Sequence, residues 1–129
     1  MKNSAQYFKD AEFRRCTPAC TIDDMQQVFL DKLDELRFQA GIPLVLNCAY
    51  RSIAFDLKKG RSGQSAHCRG LAVDIRCSNG LNRLRILRAC ALVGITRIGV
   101  GRTFIHVDMG EREGLPSSCW TYDDKGNAV

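Results

Sequence analysis

Apolar residues recur at three- and four-residue intervals through Met25, Phe29, Leu33, Leu36 and Ala40, while Asp31, Lys32 and Asp34 fall between them. That is the period of a helix with one buried face. Thr21, with Asp24 three residues on, forms a variant of the capping box, and Gly41 then Pro43 stop the run. The pattern therefore predicts one helix over about Ile22 to Ala40. Leu44 to Tyr50 reads as a strand, and Lys58 to Gln64, with Gly60, Ser62 and Gly63, as a flexible loop. From Leu71 to Arg76 the chain alternates, with Leu71, Val73 and Ile75 on one face and Ala72, Asp74 and Arg76 on the other. Ser78-Asn79-Gly80 opens a second helix, about Leu81 to Val93, with Leu84, Leu87 and Ala91 expected inward and Gly94 closing it. Two strands follow, Arg97 to Gly101 and Phe104 to Asp108, joined as a hairpin around Arg102-Thr103. Beyond Gly110, with Gly114, Pro116 and paired serines, mostly loop is expected. Helices alternating with short, hairpin-linked strands predict a compact α+β domain built on a small antiparallel sheet. One domain is expected over residues 1–129, with its core at about 7–120 and a tail after 121.

Composition narrows the class. A chain of 129 residues, 45% hydrophobic and 26% charged, buries a core of its own, which excludes disorder and fibrous repeats. No run of about 18 apolar residues offers a transmembrane helix, so no membrane partner is expected. The first residues lack the apolar core of a signal peptide. The chain is therefore expected to be made in the cytoplasm with reduced cysteines, and to be a monomer. Seven cysteines cannot all pair within one chain. Cys16 and Cys20 are spaced for one local disulfide, whereas Cys48, Cys77 and Cys90 fall where cysteine packs as a small hydrophobe. The net charge of +5 comes from scattered residues without aromatic interleaving, so a nucleic-acid partner is not expected. Arg83, Arg85 and Arg88 read as one solvated helix face.

The candidate chemistry lies on the polar faces of the predicted strands. Ile105 and Val107 claim the core side of Phe104–Asp108, which leaves His106 and Asp108 on the other, the side Asp74 takes in its own strand. His67 ends the glycine-rich loop seven residues before Asp74. If the strands share a sheet, both histidines of the chain meet these carboxylates. Two His and one Asp make a three-ligand set for a catalytic zinc with a fourth position for water. On the pattern alone, a packed histidine and a solvated aspartate explain the same positions. No C-x2-C pair is present, which argues against a structural zinc ribbon even though Cys68 and Cys77 flank Asp74.

At these residues the chain resembles a known family. Ser65-Ala66-His67-Cys68-Arg69-Gly70-Leu71-Ala72-Val73-Asp74 matches the S-x-H-x-x-G-x-A-x-D pattern of the M15 zinc peptidases, the D-Ala-D-Ala carboxypeptidases and peptidoglycan endopeptidases. Phe104-Ile105-His106-Val107-Asp108 is similar to the family's H-x-D block, Ala49-Tyr50-Arg51-Ser52 to its Y-R-S segment, and Phe8 to Phe13 to its usual opening. The resemblance implies a fold shared with the hedgehog domains, zinc as cofactor, and His67, Asp74 and His106 as its ligands. It also implies that Arg51 holds the substrate carbonyl and the charge developing on it, although a surface salt bridge is the plainer role for an arginine. Ser65 would contact substrate or cap a turn, Gly70 would allow close backbone approach, and Trp120 would wall the cleft or pack the core. Many members carry an acidic base three residues before the second histidine, where this chain has Thr103. Asp108 then becomes either the base or a partner that orients His106. The implied reaction is hydrolysis of a peptide bond in peptidoglycan stem peptides or cross-links, reached by release or by another export route. A catalytically inactive zinc-binding module on the same fold is the alternative that Thr103 favours.

Overall fold

A computed structural model describes residues 1–129 as an α+β domain. Its four helices are α1 (Asp10–Arg14), α2 (Gln27–Ala40), α3 (Ile53–Lys58) and α4 (Gly80–Val93). Its five strands are β1 (Leu46–Cys48), β2 (Ala72–Arg76), β3 (Arg97–Val100), β4 (Phe104–Asp108) and β5 (Ser118–Thr121), in the spatial order β1-β2-β4-β3-β5. All neighbours are antiparallel except β3 and β5. No helix is long and apolar enough to cross a membrane.

One face of the sheet carries the core. Val73, Ile75, Ile105 and Val107 are fully buried and belong to one cluster with Phe29, Leu30, Leu33 and Leu36 of α2 and Ile86, Ala89 and Cys90 of α4. Each valine, leucine, isoleucine or phenylalanine of this set contributes about 1.5–3 kcal/mol relative to leaving it in water. With this face covered, the alternation of β2 and β4 turns Asp74 and His106 to the opposite face.

The five expected apolar positions from Met25 to Ala40 are all buried, but the helix begins later than the periodicity predicts. Thr21 and Asp24 do form a capping box, on a 3-10 turn over Ile22–Asp24. Met25 and Gln26 are extended, because their polar groups serve other segments. Met25 O accepts from Asn3 Nδ2, the Gln26 N–H donates to Gly70 O, and Gln26 Nε2 donates to Arg69 O. The second helix starts as expected, with Asn79 accepting from the Asn82 N–H and Gly94 closing it in the left-handed conformation. Its inward face differs, however: Ile86, Ala89 and Cys90 are buried, while Leu84 and Ala91 are exposed. Leucine at every third or fourth place mimics a core stripe, but α4 turns the smaller Ala89 and Cys90 to α2. The expected strand over Leu44–Tyr50 shrinks to three residues.

Three short elements lie outside the sequence expectation. Helix α1 has five residues, and α3 has six, capped by Ser52, whose Oγ accepts from the Phe55 N–H. Strand β5 lies in the segment expected to be loop and pairs in parallel with β3. A further bridge, Tyr122 to Ala128, continues order into the expected tail.

Gly70 ties the histidine-bearing turn to the rest of the molecule. It closes a 3-10 turn over Ala66–Arg69 at φ +69°, and a Cβ there would sit 2.5 Å from Asp24 O. Gly60 has a similar φ of +79° but open space around it. Gly60→Ala is therefore expected to cost about 1 kcal/mol from conformation alone. Gly70→Ala should cost about 2 kcal/mol more, from overlap with backbone that cannot yield. Urea unfolding of both variants measures the difference, and equal losses would contradict tight docking of this turn.

Candidate metal centre

The β2–β4 register sets Asp74 directly opposite His106. The 3-10 turn brings His67 in from above, where it is 2% exposed. One carboxylate oxygen serves both rings: Asp74 Oδ1 lies 3.4 Å from His67 Nε2 and 2.9 Å from His106 Nδ1. The three side chains expected to converge are thus brought together.

The outer nitrogen of each ring has its own partner. His67 Nδ1 donates to Ala49 O at 2.5 Å, because a carbonyl can only accept. That hydrogen bond turns Nε2 toward Asp74. His106 Nε2 donates to Asp108 Oδ2 at 2.6 Å, which aims Nδ1 at Asp74. Burial opposes the charged form of His106, but the hydrogen bonds to Asp108 and Asp74 outweigh it and hold its pKa up, at about 9. Burial likewise opposes ionisation of Asp74, yet the neighbouring charge of His67 and the hydrogen bond from His106 keep it well below the usual carboxylate range. The site therefore offers an ionised carboxylate and two ring nitrogens aimed at it. This donor set fits zinc: His67 Nε2, Asp74 and His106 Nδ1 point inward, and the outer nitrogens are braced as metal-ligating histidines usually are.

Cys48 is the neighbour that the sequence pattern did not place here. Its Sγ lies within 4.8 Å of ligand atoms of His67 and Asp74, since β1 sets Cys48 across from Asp74. Burial pushes its thiol up to about 12, and its Sγ lies 3.8 Å from Nδ1, the outer nitrogen of His67. Cys48 thus touches the outer edge of the His67 ring, while the inner nitrogen Nε2 faces Asp74 together with His106 Nδ1.

Asp108 is 1% exposed, and both of its oxygens are engaged. Oδ2 accepts from His106, while Oδ1 accepts from Arg97 Nε at 2.7 Å and from the Gly110 N–H at 2.7 Å. Burial works against its ionisation, but these donors outweigh it and lower its pKa. Thr103 is exposed in the β3–β4 turn and is absent from the lining of the cleft.

The centre floors a cleft of about 550 Å³ that Arg51, Ser65, Arg97, Trp120 and Tyr122 also line. A depression of about 580 Å³ beside α2 and α4, lined by Lys32, Phe38 and Leu92 among others, holds no histidine or cysteine. Strand β5 delivers Trp120 to the cleft, where its ring lies 5.5 Å from that of His106 and under the Arg97 guanidinium. Trp120 Nε1 donates to Tyr122 Oη at 3.0 Å. This aromatic wall requires Gly99, because a Cβ there would overlap Trp120 Nε1 and Tyr122 Oη. Alternation of small and large residues across β3 and β5 was the available signal, but it is too short to stand out.

Trp120 is the single tryptophan, so its fluorescence reports on the cleft alone. Gly99→Ala is expected to shift its emission to longer wavelength while the far-ultraviolet circular dichroism stays unchanged. An unshifted spectrum in the folded variant would show that Trp120 does not occupy the space above Gly99.

The arrangement invites comparison with known proteins. No curated protein matches the chain significantly. A protein-family model described as Peptidase M15 matches residues 6–108, from the segment before α1 to the last residue of β4. His67, Asp74 and His106 all fall inside this match, whereas Trp120 and Tyr122 fall outside it. Covering most of the sequence, the match shows that the chain belongs to the Peptidase M15 family.

Proposed function

We propose that the protein is a zinc-dependent peptidase that hydrolyses a peptide bond in bacterial peptidoglycan, in a stem peptide or a cross-link. The observation that carries this reading is the single oxygen of Asp74 set between His67 Nε2 and His106 Nδ1 at the floor of an open cleft. His67, Asp74 and His106 would hold the ion. Zinc so held supplies Lewis acidity, polarising a carbonyl and letting water ionise near neutral pH.

The other residues bind and orient. Arg51 lines the cleft with a side chain that is mostly buried, suited to holding a substrate carbonyl and the negative charge that develops on it. Asp108 acts as the orienter of His106 rather than as the base, because both of its oxygens are already engaged and it is shut off from solvent. Arg97 steadies Asp108 and stacks on Trp120, which walls the peptide-binding side. Ser65 lines the cleft immediately before the His67 turn. Tyr122 accepts from Trp120 Nε1, so its own O–H is left to donate into the cleft. The modest positive charge suits an anionic wall polymer. The protein would act on the bacterial wall, as a monomer with no nucleic-acid or membrane partner.

A second reading, a zinc-binding module without catalysis, is favoured by one specific observation. Asp74 and Asp108 are the acidic residues lining the cleft, and both are engaged by histidines.

Zinc-loaded protein incubated with purified peptidoglycan fragments, with products identified by mass spectrometry, separates the two. Cleavage of a stem peptide is expected, and it should disappear together with bound zinc in His106→Ala. Arg51→Ala should retain zinc and lose about 100- to 1,000-fold in kcat. Asp108→Asn should bind zinc about 10- to 100-fold more weakly. Stoichiometric zinc with no cleavage of any fragment would leave the module and remove the enzyme.

A further inference from the structure

Asp56 takes no part in the chemistry above, yet it is a completely buried carboxylate beside the cleft. Its Oδ1 accepts from Ser65 Oγ at 3.1 Å and lies 3.1 Å from Arg51 Nε. Its Oδ2 accepts from the Gly63 N–H at 2.9 Å. Arg51 Nε is itself buried and has no aligned hydrogen bond, so charge attraction to Asp56 is what compensates it. The α3 helix, opened by the Ser52 cap, sets Asp56 at this place.

The three contacts belong to three parts of the site. Arg51 lines the cleft, and its backbone N–H donates to His67 O. Ser65 stands immediately before the turn that carries His67, and Gly63 closes the preceding loop at φ +76°. With Nε drawn back to Asp56, the two terminal nitrogens of the guanidinium are the donors left for a substrate oxygen. A buried guanidinium without its counter-charge would swing toward solvent or attract an anion in place of a neutral carbonyl.

We infer that Asp56 is the positioning residue that holds the Arg51 guanidinium and the Ser65 loop in the geometry that receives the scissile carbonyl. The inference deepens the peptidase reading and rests on it for its effect on turnover. The positioning itself is readable without turnover.

The test pairs nitrogen-15 NMR of the arginine Nε–H groups with steady-state kinetics on the zinc-loaded protein, using Asp56→Asn. The Arg51 signal is identified by its loss in Arg51→Lys. In the wild type the Arg51 Nε–H should exchange slowly with water. In Asp56→Asn it should exchange about 10-fold faster or more. The same variant should lose about 100-fold in kcat, as a misplaced catalytic contact does, with KM changed by less than about threefold. In an Arg51→Ala background, Asp56→Asn should cost at least about 10-fold less than in the wild type, because only its hold on the Ser65 loop is left to lose. Should the asparagine variant fail to fold, Asp56→Glu keeps the charge but displaces it by one methylene. It should show the same two changes to a smaller degree. An Arg51 exchange rate that does not respond, or an equal loss in the Arg51→Ala background, overturns the inference. A wild type that cleaves nothing overturns the peptidase reading instead, and the exchange rates then decide the positioning by themselves.

Discussion

The carboxylate of Asp74, held between two imidazoles on the polar face of an antiparallel strand pair, is the interaction on which the site depends. Its strength comes from burial. In water a carboxylate and an imidazolium a few ångströms apart interact weakly, whereas here the low dielectric magnifies the attraction and penalises any partner left alone. The β2–β4 register supplies this arrangement, because Val73, Ile75, Ile105 and Val107 are committed to the core and a slip by one residue would expose them all. The hydrophobic core and the candidate metal centre are thus two faces of one constraint.

Around that centre lies a set of contacts that turn side chains into oriented donors. Ala49 O chooses the tautomer of His67, and Asp108 chooses the direction of His106. Arg97 and the Gly110 N–H satisfy the remaining oxygen of Asp108, so a buried acid next to a histidine becomes a fixed brace. Asp56 does the corresponding service for Arg51. Two buried carboxylates, Asp108 in the cleft and Asp56 behind it, thus hold a histidine and two arginines in place. Thr103 takes no part in this: it sits exposed in the β3–β4 turn, outside the cleft.

Much of this was legible in the sequence, for a physical reason. Alternation in Leu71–Arg76 and Phe104–Asp108 assigns faces directly, so it puts Asp74 and His106 on the polar face of their strands. The apolar stripe of α2 was equally readable, because large side chains from Met25 to Ala40 leave one consistent face. What escaped were elements governed by contacts distant in sequence. Met25 and Gln26 leave the helix to serve Asn3 and Gly70, and α4 turns Ala89 and Cys90 inward in place of Leu84. Helix α3 is too short for periodicity to announce it, and with it went Asp56, which reads as an ordinary surface acid in the sequence. Strand β5 hides among serines beside Pro116, although it delivers Trp120 to the cleft. Cys48 sits beside His67 only because β1 pairs with β2.

We propose that His67, Asp74 and His106 hold the metal, with Cys48 standing outside. X-ray absorption at the zinc edge of the zinc-loaded protein tests this most directly, because sulfur and nitrogen or oxygen scatter at separable distances. Only nitrogen and oxygen neighbours at about 2.0–2.2 Å are predicted. A sulfur neighbour at about 2.3 Å would place Cys48 among the ligands and contradict it.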